Sequence, residues 1–93
     1  MLQIHRESDT IVLAGRFDAT QVDTASEVFG QVEETVTVRF EDLDYISSAG
    51  LSVLLHTQQR LSRNGHGLRL AGMSPHVRLI FEYAGLDSVF PIE

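Results

Sequence analysis

Apolar and polar residues alternate along four stretches of the chain, and a two-residue period of this kind predicts β-strands. The four stretches begin near Leu2, Ile11, Val36 and Leu68. Ser8-Asp9 separates the first two stretches and suits a tight turn. We therefore expect the first two strands to form a β-hairpin.

Apolar residues recur at helical spacing in three further stretches, which predict α-helices. The first covers residues 20–32, with Thr20 as the expected N-cap. The second covers residues 48–63 and ends at Asn64-Gly65. The third opens at Ser74-Pro75, a cap followed by proline, and closes at Gly85-Leu86 in a Schellman ending. Its expected buried stripe consists of Val77, Ile80, Phe81 and Ala84.

The elements follow in the order β-β-α-β-α-β-α, and the strand–helix–strand connections predict parallel pairing of the later strands. Strands covered on both faces are apolar throughout. Here polar residues stand at alternate positions, at Thr35, Thr37, Arg39 and Arg69. We therefore expect one α/β domain over residues 1–93, a mixed β-sheet of four to five strands with all helices packed on one face. Residues 89–92 are the expected fifth strand, which Pro91 restricts to an edge.

The amino-acid composition argues against several classes of function. The chain has no cysteine, which excludes disulfides and sulfur-based zinc sites. Its net charge is −6 and its seven cationic residues are scattered arginines, which argues against nucleic-acid binding. No apolar run approaches the roughly 20 residues of a membrane span, and no signal peptide stands at the start, so we expect a cytoplasmic protein. The histidines lack metal-ligand spacing, and we expect neither metal nor cofactor.

Two adjacent serines, Ser47 and Ser48, stand between the third strand and the apolar second helix. A hydroxyl there lies at a helix N-terminus, where backbone N–H groups and the macrodipole favour negative charge. The residues alone leave two interpretations open. The serines are simple helix caps, or one of them caps while the other accepts a phosphate.

A polar band continues along the second helix from these serines. At about 100° per residue, its members fall within roughly a quarter turn of one another. They are Ser48, Ser52, His56, Gln59 and Arg63. A docking protein could contact the serine turn and this band together.

Four motifs in this order resemble the STAS family, the bacterial anti-sigma factor antagonists. The first three are Gly15-Arg16-Phe17-Asp18, Phe40-Glu41-Asp42-Leu43-Asp44-Tyr45-Ile46 and Ser47-Ser48-Ala49-Gly50-Leu51. The fourth is the third helix with its boundaries, Met73-Ser74-Pro75-His76-Val77 and Tyr83-Ala84-Gly85-Leu86. The resemblance covers most of the chain and implies the STAS fold. It also implies that Ser48 is the phosphoacceptor, with Ser47 as a rival.

The same resemblance implies a partner-binding surface around the acceptor. Asp18 is expected near Ser48, and Gly50 is expected to allow a close approach of the chain's backbone to the partner. Ser47 stands where the best-known family pattern has aspartate. The expected partner-binding residues are Asp18, Ser47, Ser48, Ala49, Gly50, Ser52, His56, Gln59 and Arg63.

The resemblance further implies partner switching in signal transduction and transcription regulation. The unmodified protein binds an anti-sigma factor that is a serine kinase, phosphorylation of Ser48 releases it, and a serine phosphatase resets it. The chain is then a substrate rather than an enzyme, a monomer or weak dimer. A serine hydrolase is disfavoured because no Gly-x-Ser-x-Gly motif is present. The remaining alternative is a non-switching STAS module in a lipid-transport, stressosome or transporter-associated complex.

Overall fold

The computed structural model describes all residues from 1 to 93 and contains the expected strands and helices in the expected order. The elements are β1 (Leu2–Glu7), β2 (Thr10–Phe17), α1 (Val22–Gly30), β3 (Val36–Ile46), α2 (Ser48–Ser62), β4 (Leu68–Ala71) and α3 (Pro75–Tyr83). The strands form one sheet in the order β1-β2-β3-β4. β1 and β2 pair antiparallel across the Ser8-Asp9 turn, and the other two pairs are parallel. The prediction of a mixed α/β sheet is confirmed.

The two faces of this sheet differ in chemistry. Ile11, Val38 and Leu70 lie side by side in register, and all three are completely buried. The opposite face carries the ion pairs Arg39–Glu41 and Arg69–Glu93, whose side chains remain about half exposed. One face of the sheet is therefore core and the other is charged and open.

All three helices pack on the apolar face. Phe81 of α3 contacts Phe40 of β3 edge-to-face, with ring centroids 5.8 Å apart. Ala25 and Phe29 of α1 and Leu54 of α2 belong to the same core cluster of 20 buried residues. This one-sided arrangement confirms the expectation drawn from the polar residues at alternate strand positions. No helix in the structure combines the length and apolar character that crossing a membrane requires.

β3 departs from strict alternation at its carboxyl end. Phe40, Leu43 and Ile46 are three residues apart, yet all three are buried. The register against β2 shifts by one residue between Arg39 and Asp42 and again between Leu43 and Tyr45. These are bulges, in which one extra residue on β3 faces β2. The bulges turn Leu43 and Ile46 back to the core and leave Tyr45 on the open face, beneath the Arg16 guanidinium at 4.6 Å from the ring centroid.

Three expectations about element ends need correction. Thr20 is not the N-cap of the first helix: Asp18 caps a short 3-10 turn (Ala19–Gln21), and α1 starts only at Val22. The expected fifth strand reduces to a single bridge between Leu70 and Ile92, because Pro91 has no N–H to donate. Ala84 is exposed rather than buried, since it is the C-cap of α3.

The expected Schellman ending of α3 is present. Gly85 has φ +73°, and the Leu86 N–H donates to the Phe81 carbonyl oxygen at 2.9 Å. Ser74 caps the start of α3 by accepting the Val77 N–H at 3.2 Å, with Pro75 in the first turn. Local sequence signals therefore fixed both ends of this helix.

Gly50 in the first turn of α2 lets that helix approach the sheet. A Cβ atom there would lie 2.9 Å from Ile46 Cγ1 and 3.1 Å from the Phe17 ring. Both neighbours are core side chains with almost no exposed surface. The absence of a side chain at Gly50 is thus a packing requirement.

We predict that Gly50→Ala lowers the free energy of unfolding, although alanine has the better helix propensity by about 1 kcal/mol. Overpacking against fixed core side chains costs about 1–3 kcal/mol, so the net loss should be up to about 2 kcal/mol. Urea unfolding followed by circular dichroism measures it. Gly30→Ala is the matched control, because nothing lies within 4 Å of its added Cβ. Equal stability of the two variants would contradict this packing role.

Candidate functional site

The candidate site lies where the parallel strands β2 and β3 end side by side. Phe17 pairs with Ile46 at the carboxyl ends of these strands. The next N–H, that of Ser47, donates to the Phe17 carbonyl oxygen at 2.8 Å. This bond extends the strand pairing by one residue and ties the start of α2 to the start of the β2–α1 turn. The two loops expected to form the site are therefore adjacent.

Ser47 and Ser48 have different surroundings. Ser47 is the N-cap of α2 and half-buried, and its hydroxyl oxygen accepts the Gly50 N–H at 3.2 Å. Ser48 is the first residue of α2 and exposed, and its hydroxyl makes no hydrogen bond within the chain. One serine is thus engaged in holding the helix start, whereas the other presents a free hydroxyl to solvent.

The start of α2 is suited to an added negative charge. No acidic side chain lies in its first turn. The helix macrodipole places partial positive charge at this end, and a phosphate on the first helical residue interacts favourably with it. Ser52, one turn further on, donates its hydroxyl to the Ser48 carbonyl oxygen at 3.1 Å.

Asp18 shapes the neighbouring loop. Its carboxylate accepts the Thr20 hydroxyl at 2.6 Å and the Thr20 N–H at 2.9 Å, and Gln21 Oε1 accepts the Asp18 N–H at 2.9 Å. These are the two halves of a capping box. The hydrogen bond from the Thr20 hydroxyl, followed by that from its N–H, lowers the pKa of Asp18 below the ordinary value of 3.8. Asp18 is therefore a charged cap beside the Ser47 turn.

The polar band along α2 is accessible as expected. Ser52, His56, Gln59 and Arg63 are all exposed, like Ser48. Ala49 is half-buried beside them. The structure therefore presents the free hydroxyl and the band on one continuous helix surface.

Gly50 is the exception among the expected partner-binding residues. It is buried against Phe17 and Ile46, which leaves little surface for a partner to approach. The structure gives Gly50 a packing role beneath the turn formed by Ser47 and Ser48.

A groove between α1 and α2 was not anticipated from the sequence. It has a volume of about 510 Å³ and opens beside Ser52 and His56. At the far end of the groove, Arg60 Nη2 donates to the Phe29 carbonyl oxygen at 2.9 Å. Phe29 is the last residue but one of α1. Helical periodicity could assign Arg60 to α2, but which helix lies opposite it depends on tertiary packing. No group of three or more His, Cys, Asp or Glu side chains is placed to hold a metal ion.

Comparison with known proteins gives consistent matches. A family model described as Mlab, STAS domain, matches residues 1–91. A Bordetella bronchiseptica protein assigned as the anti-sigma factor antagonist BtrV is 35% identical over 82 residues, which cover 88% of this chain and 70% of that protein. The Listeria monocytogenes anti-sigma-B factor antagonist is 32% identical over 97 residues, covering 95% of this chain and 84% of the relative.

The fold matches solved structures of another anti-sigma factor antagonist, SpoIIAA. Its unphosphorylated form superposes with a TM-score of 0.74 at 24% identity, covering 100% of this chain and 88% of that one. The phosphorylated form, from Bacillus, superposes with a TM-score of 0.70 at 22% identity, covering 100% of this chain and 91% of that one. At these identities the likeness concerns the fold.

We predict that truncating Ser47 to alanine destabilises the protein, whereas truncating Ser48 leaves its stability almost unchanged. Ser47→Ala removes an N-cap and should lower the free energy of unfolding by about 1 kcal/mol. Ser48→Ala removes a hydroxyl with no partner and should change it by less than about 0.5 kcal/mol. Urea unfolding of the pair measures the difference, each variant serving as the other's control. Equal losses would contradict the assignment of Ser47 as the cap.

We predict that Asp18→Asn destabilises the protein in a pH-dependent way. Because folding lowers the pKa of Asp18, its contribution is fully present above the unfolded value and is lost as pH falls through the lower folded value. The difference in unfolding free energy between wild type and Asp18→Asn should therefore shrink as pH falls below about 4. Asp87→Asn, at an exposed aspartate without hydrogen bonds, controls for general acid effects. A difference that grows on acidification would refute the capping interpretation.

Proposed function

The chain belongs to the STAS domain family, and we propose that it acts as an anti-sigma factor antagonist whose docking is controlled by phosphorylation of Ser48. Two curated relatives at 35% and 32% identity carry the antagonist name, which supports the role. The single observation that carries the switch is the exposed and unbonded hydroxyl of Ser48 at the start of α2. The output proposed is transcription regulation in the bacterial cytoplasm.

The proposed partner is an anti-sigma factor with serine kinase activity. The unmodified chain binds it through the acceptor turn and the polar band of α2. In the transfer step, Ser48 Oγ attacks the γ-phosphorus of ATP held by the kinase. The new Oγ–P bond forms as the bond from phosphorus to the β,γ-bridging oxygen breaks, ADP leaves, and the hydroxyl proton passes to a base on the kinase or to water. The chain supplies only the acceptor oxygen.

The geometry favours Ser48 over Ser47 as the acceptor. To reach a kinase, the Ser47 hydroxyl would have to leave the Gly50 N–H and uncap α2, at a cost of about 1 kcal/mol. Ser48 carries no such cost because its hydroxyl has no partner. Modification at Ser48 therefore leaves the local fold intact.

The phosphate acts at the interface rather than on folding. It adds about −1.5 to −2 charge next to a surface that the kinase must desolvate. The macrodipole of α2 stabilises this charge in the free protein, and docking would remove its hydration. A loss of about 3 kcal/mol in binding is more than a hundredfold in affinity, which is sufficient for release. A serine phosphatase then restores the unmodified hydroxyl.

The remaining partner-facing residues have separate parts in this proposal. Asp18 holds the adjoining loop in shape through Thr20 and presents one charge beside the turn. Ser52, His56, Gln59 and Arg63 extend the contact along α2. Ser47 and Ala49 position the acceptor, and we assign the free chain as a monomer or weak dimer.

We predict that Ser48→Ala keeps the affinity of the unmodified protein for its kinase, whereas Ser48→Asp weakens it by about tenfold or more. The kinase is sought among the ATP-binding serine kinases encoded beside this gene. Calorimetric titration in the presence of ADP measures both affinities. Thermal unfolding should show that Ser48→Asp is as stable as wild type, since the helix N-terminus tolerates negative charge.

Equal affinities for the kinase would overturn the switch. If, in addition, no phosphate is found on Ser48 in cells under any growth condition, the non-switching module in a larger complex becomes the better description. Ser88→Asp, at an exposed serine outside α2, controls for added charge alone.

A further inference from the structure

The groove between α1 and α2 continues the proposed docking surface toward α1. Its lining residues are Val22, Ser26 and Gly30 from α1, and Ala49, Ser52, Val53, His56, Thr57 and Arg60 from α2. On each helix these residues recur at three- or four-residue intervals and so form one face. Small side chains at Ser26, Gly30, Ala49 and Ser52 account for its depth, since a Cβ added at Gly30 would meet no atom within 4 Å.

Charge sets this groove apart from the rest of the molecule. The chain carries 13 acidic residues and a net charge of −6, yet none of the nine lining residues is acidic. Arg60 is the one formally charged member, with His56 on the same side. A neutral-to-basic groove on an acidic protein favours a ligand that carries a carboxylate.

Arg60 is held in place by its own fold. Its Nη2 donates to the Phe29 carbonyl oxygen at 2.9 Å, which orients the guanidinium at the groove's end. Its remaining N–H groups make no hydrogen bond in the chain, and it forms no ion pair, although Glu33 and Glu34 line a separate depression on its other side. A guanidinium fixed in this way loses little freedom when it binds a carboxylate with its free N–H groups.

We infer that this groove binds an acidic, amphipathic segment of the kinase partner. The floor formed by Val22, Ala49 and Val53 takes apolar side chains at the Ser48 end, and Arg60 takes a carboxylate at the other. Ala49 and Arg60 are eleven positions apart on α2, or about 17 Å, so the segment spans about three helical turns. The inference rests on the proposed function, because the groove begins beside the proposed acceptor serine. It specifies that the partner contacts the side of α2 that faces α1.

The test uses the ATP-binding serine kinase encoded beside this gene and four variants of the chain in matched pairs. Ser26→Tyr fills the groove, and Thr24→Tyr places the same side chain on an exposed position of α1 outside it. Arg60→Gln removes the charge from the groove, and Arg78→Gln removes a charge from α3, which does not line the groove. We expect Ser26→Tyr and Arg60→Gln to bind the kinase about tenfold more weakly or worse, and both controls to stay within about twofold.

The outcomes separate this inference from the proposed function. If the groove variants bind like wild type while Ser48→Asp does not bind, the groove is not the docking site and the switch stands. If the kinase neither binds nor phosphorylates the chain, both proposals fall. Should Ser26→Tyr not fold, amide chemical-shift changes on wild type decide: shifts at Ser26 and Gly30 on kinase addition support the groove, and shifts confined to other surfaces overturn it. The inference is also overturned if a control variant and the groove variant that it is paired with lose the same amount of affinity for the kinase.

Discussion

The parallel pairing of β2 with β3 is the constraint on which the rest of the structure depends. It places Phe17 beside Ile46 and continues through the hydrogen bond from the Ser47 N–H to the Phe17 carbonyl oxygen. That bond fixes where α2 begins, and so fixes which serine caps the helix and which faces solvent. Gly50 makes the arrangement possible because its missing side chain lets the first turn of α2 rest on Phe17 and Ile46. A buried packing requirement therefore determines the exposure of a surface hydroxyl.

Capping a helix and accepting a phosphate make conflicting demands on a single serine hydroxyl, and in this chain two adjacent serines are available for them. A capping hydroxyl is engaged with the helix backbone, and a phosphoacceptor has to be free to leave the surface and enter a kinase site. Ser47 does the first, and the surroundings of Ser48 suit the second. The one-sided sheet also separates the proposed docking surface from the charged face of the sheet. All helices pack on one face, so the acceptor turn and the α1–α2 groove lie on the helical side, away from the charged open face with its Arg39–Glu41 and Arg69–Glu93 pairs.

Much of the fold could be predicted from the sequence because its signals are local. Alternation identified the strands, capping residues fixed the ends of α3, and the polar residues at alternate strand positions indicated one covered face. One failure has a local cause: Asp18 and Thr20 are both residue types that cap helices, and the sequence alone does not decide between them. The other failures have tertiary causes. The bulges in β3, the burial of Gly50 and the groove beside Arg60 all depend on which element lies opposite, which a single sequence does not state. Family resemblance points to Ser48 as the proposed phosphoacceptor, and the geometry supplies the reason to prefer it to Ser47.

The most direct test of the account is to map the phosphate after incubating the intact chain with its kinase and ATP. Intact-mass analysis followed by fragmentation between Ser47 and Ser48 assigns the modified residue. The account predicts a single phosphate on Ser48, with unchanged helix content by circular dichroism. A phosphate on Ser47, or modification that melts the start of α2, would contradict it.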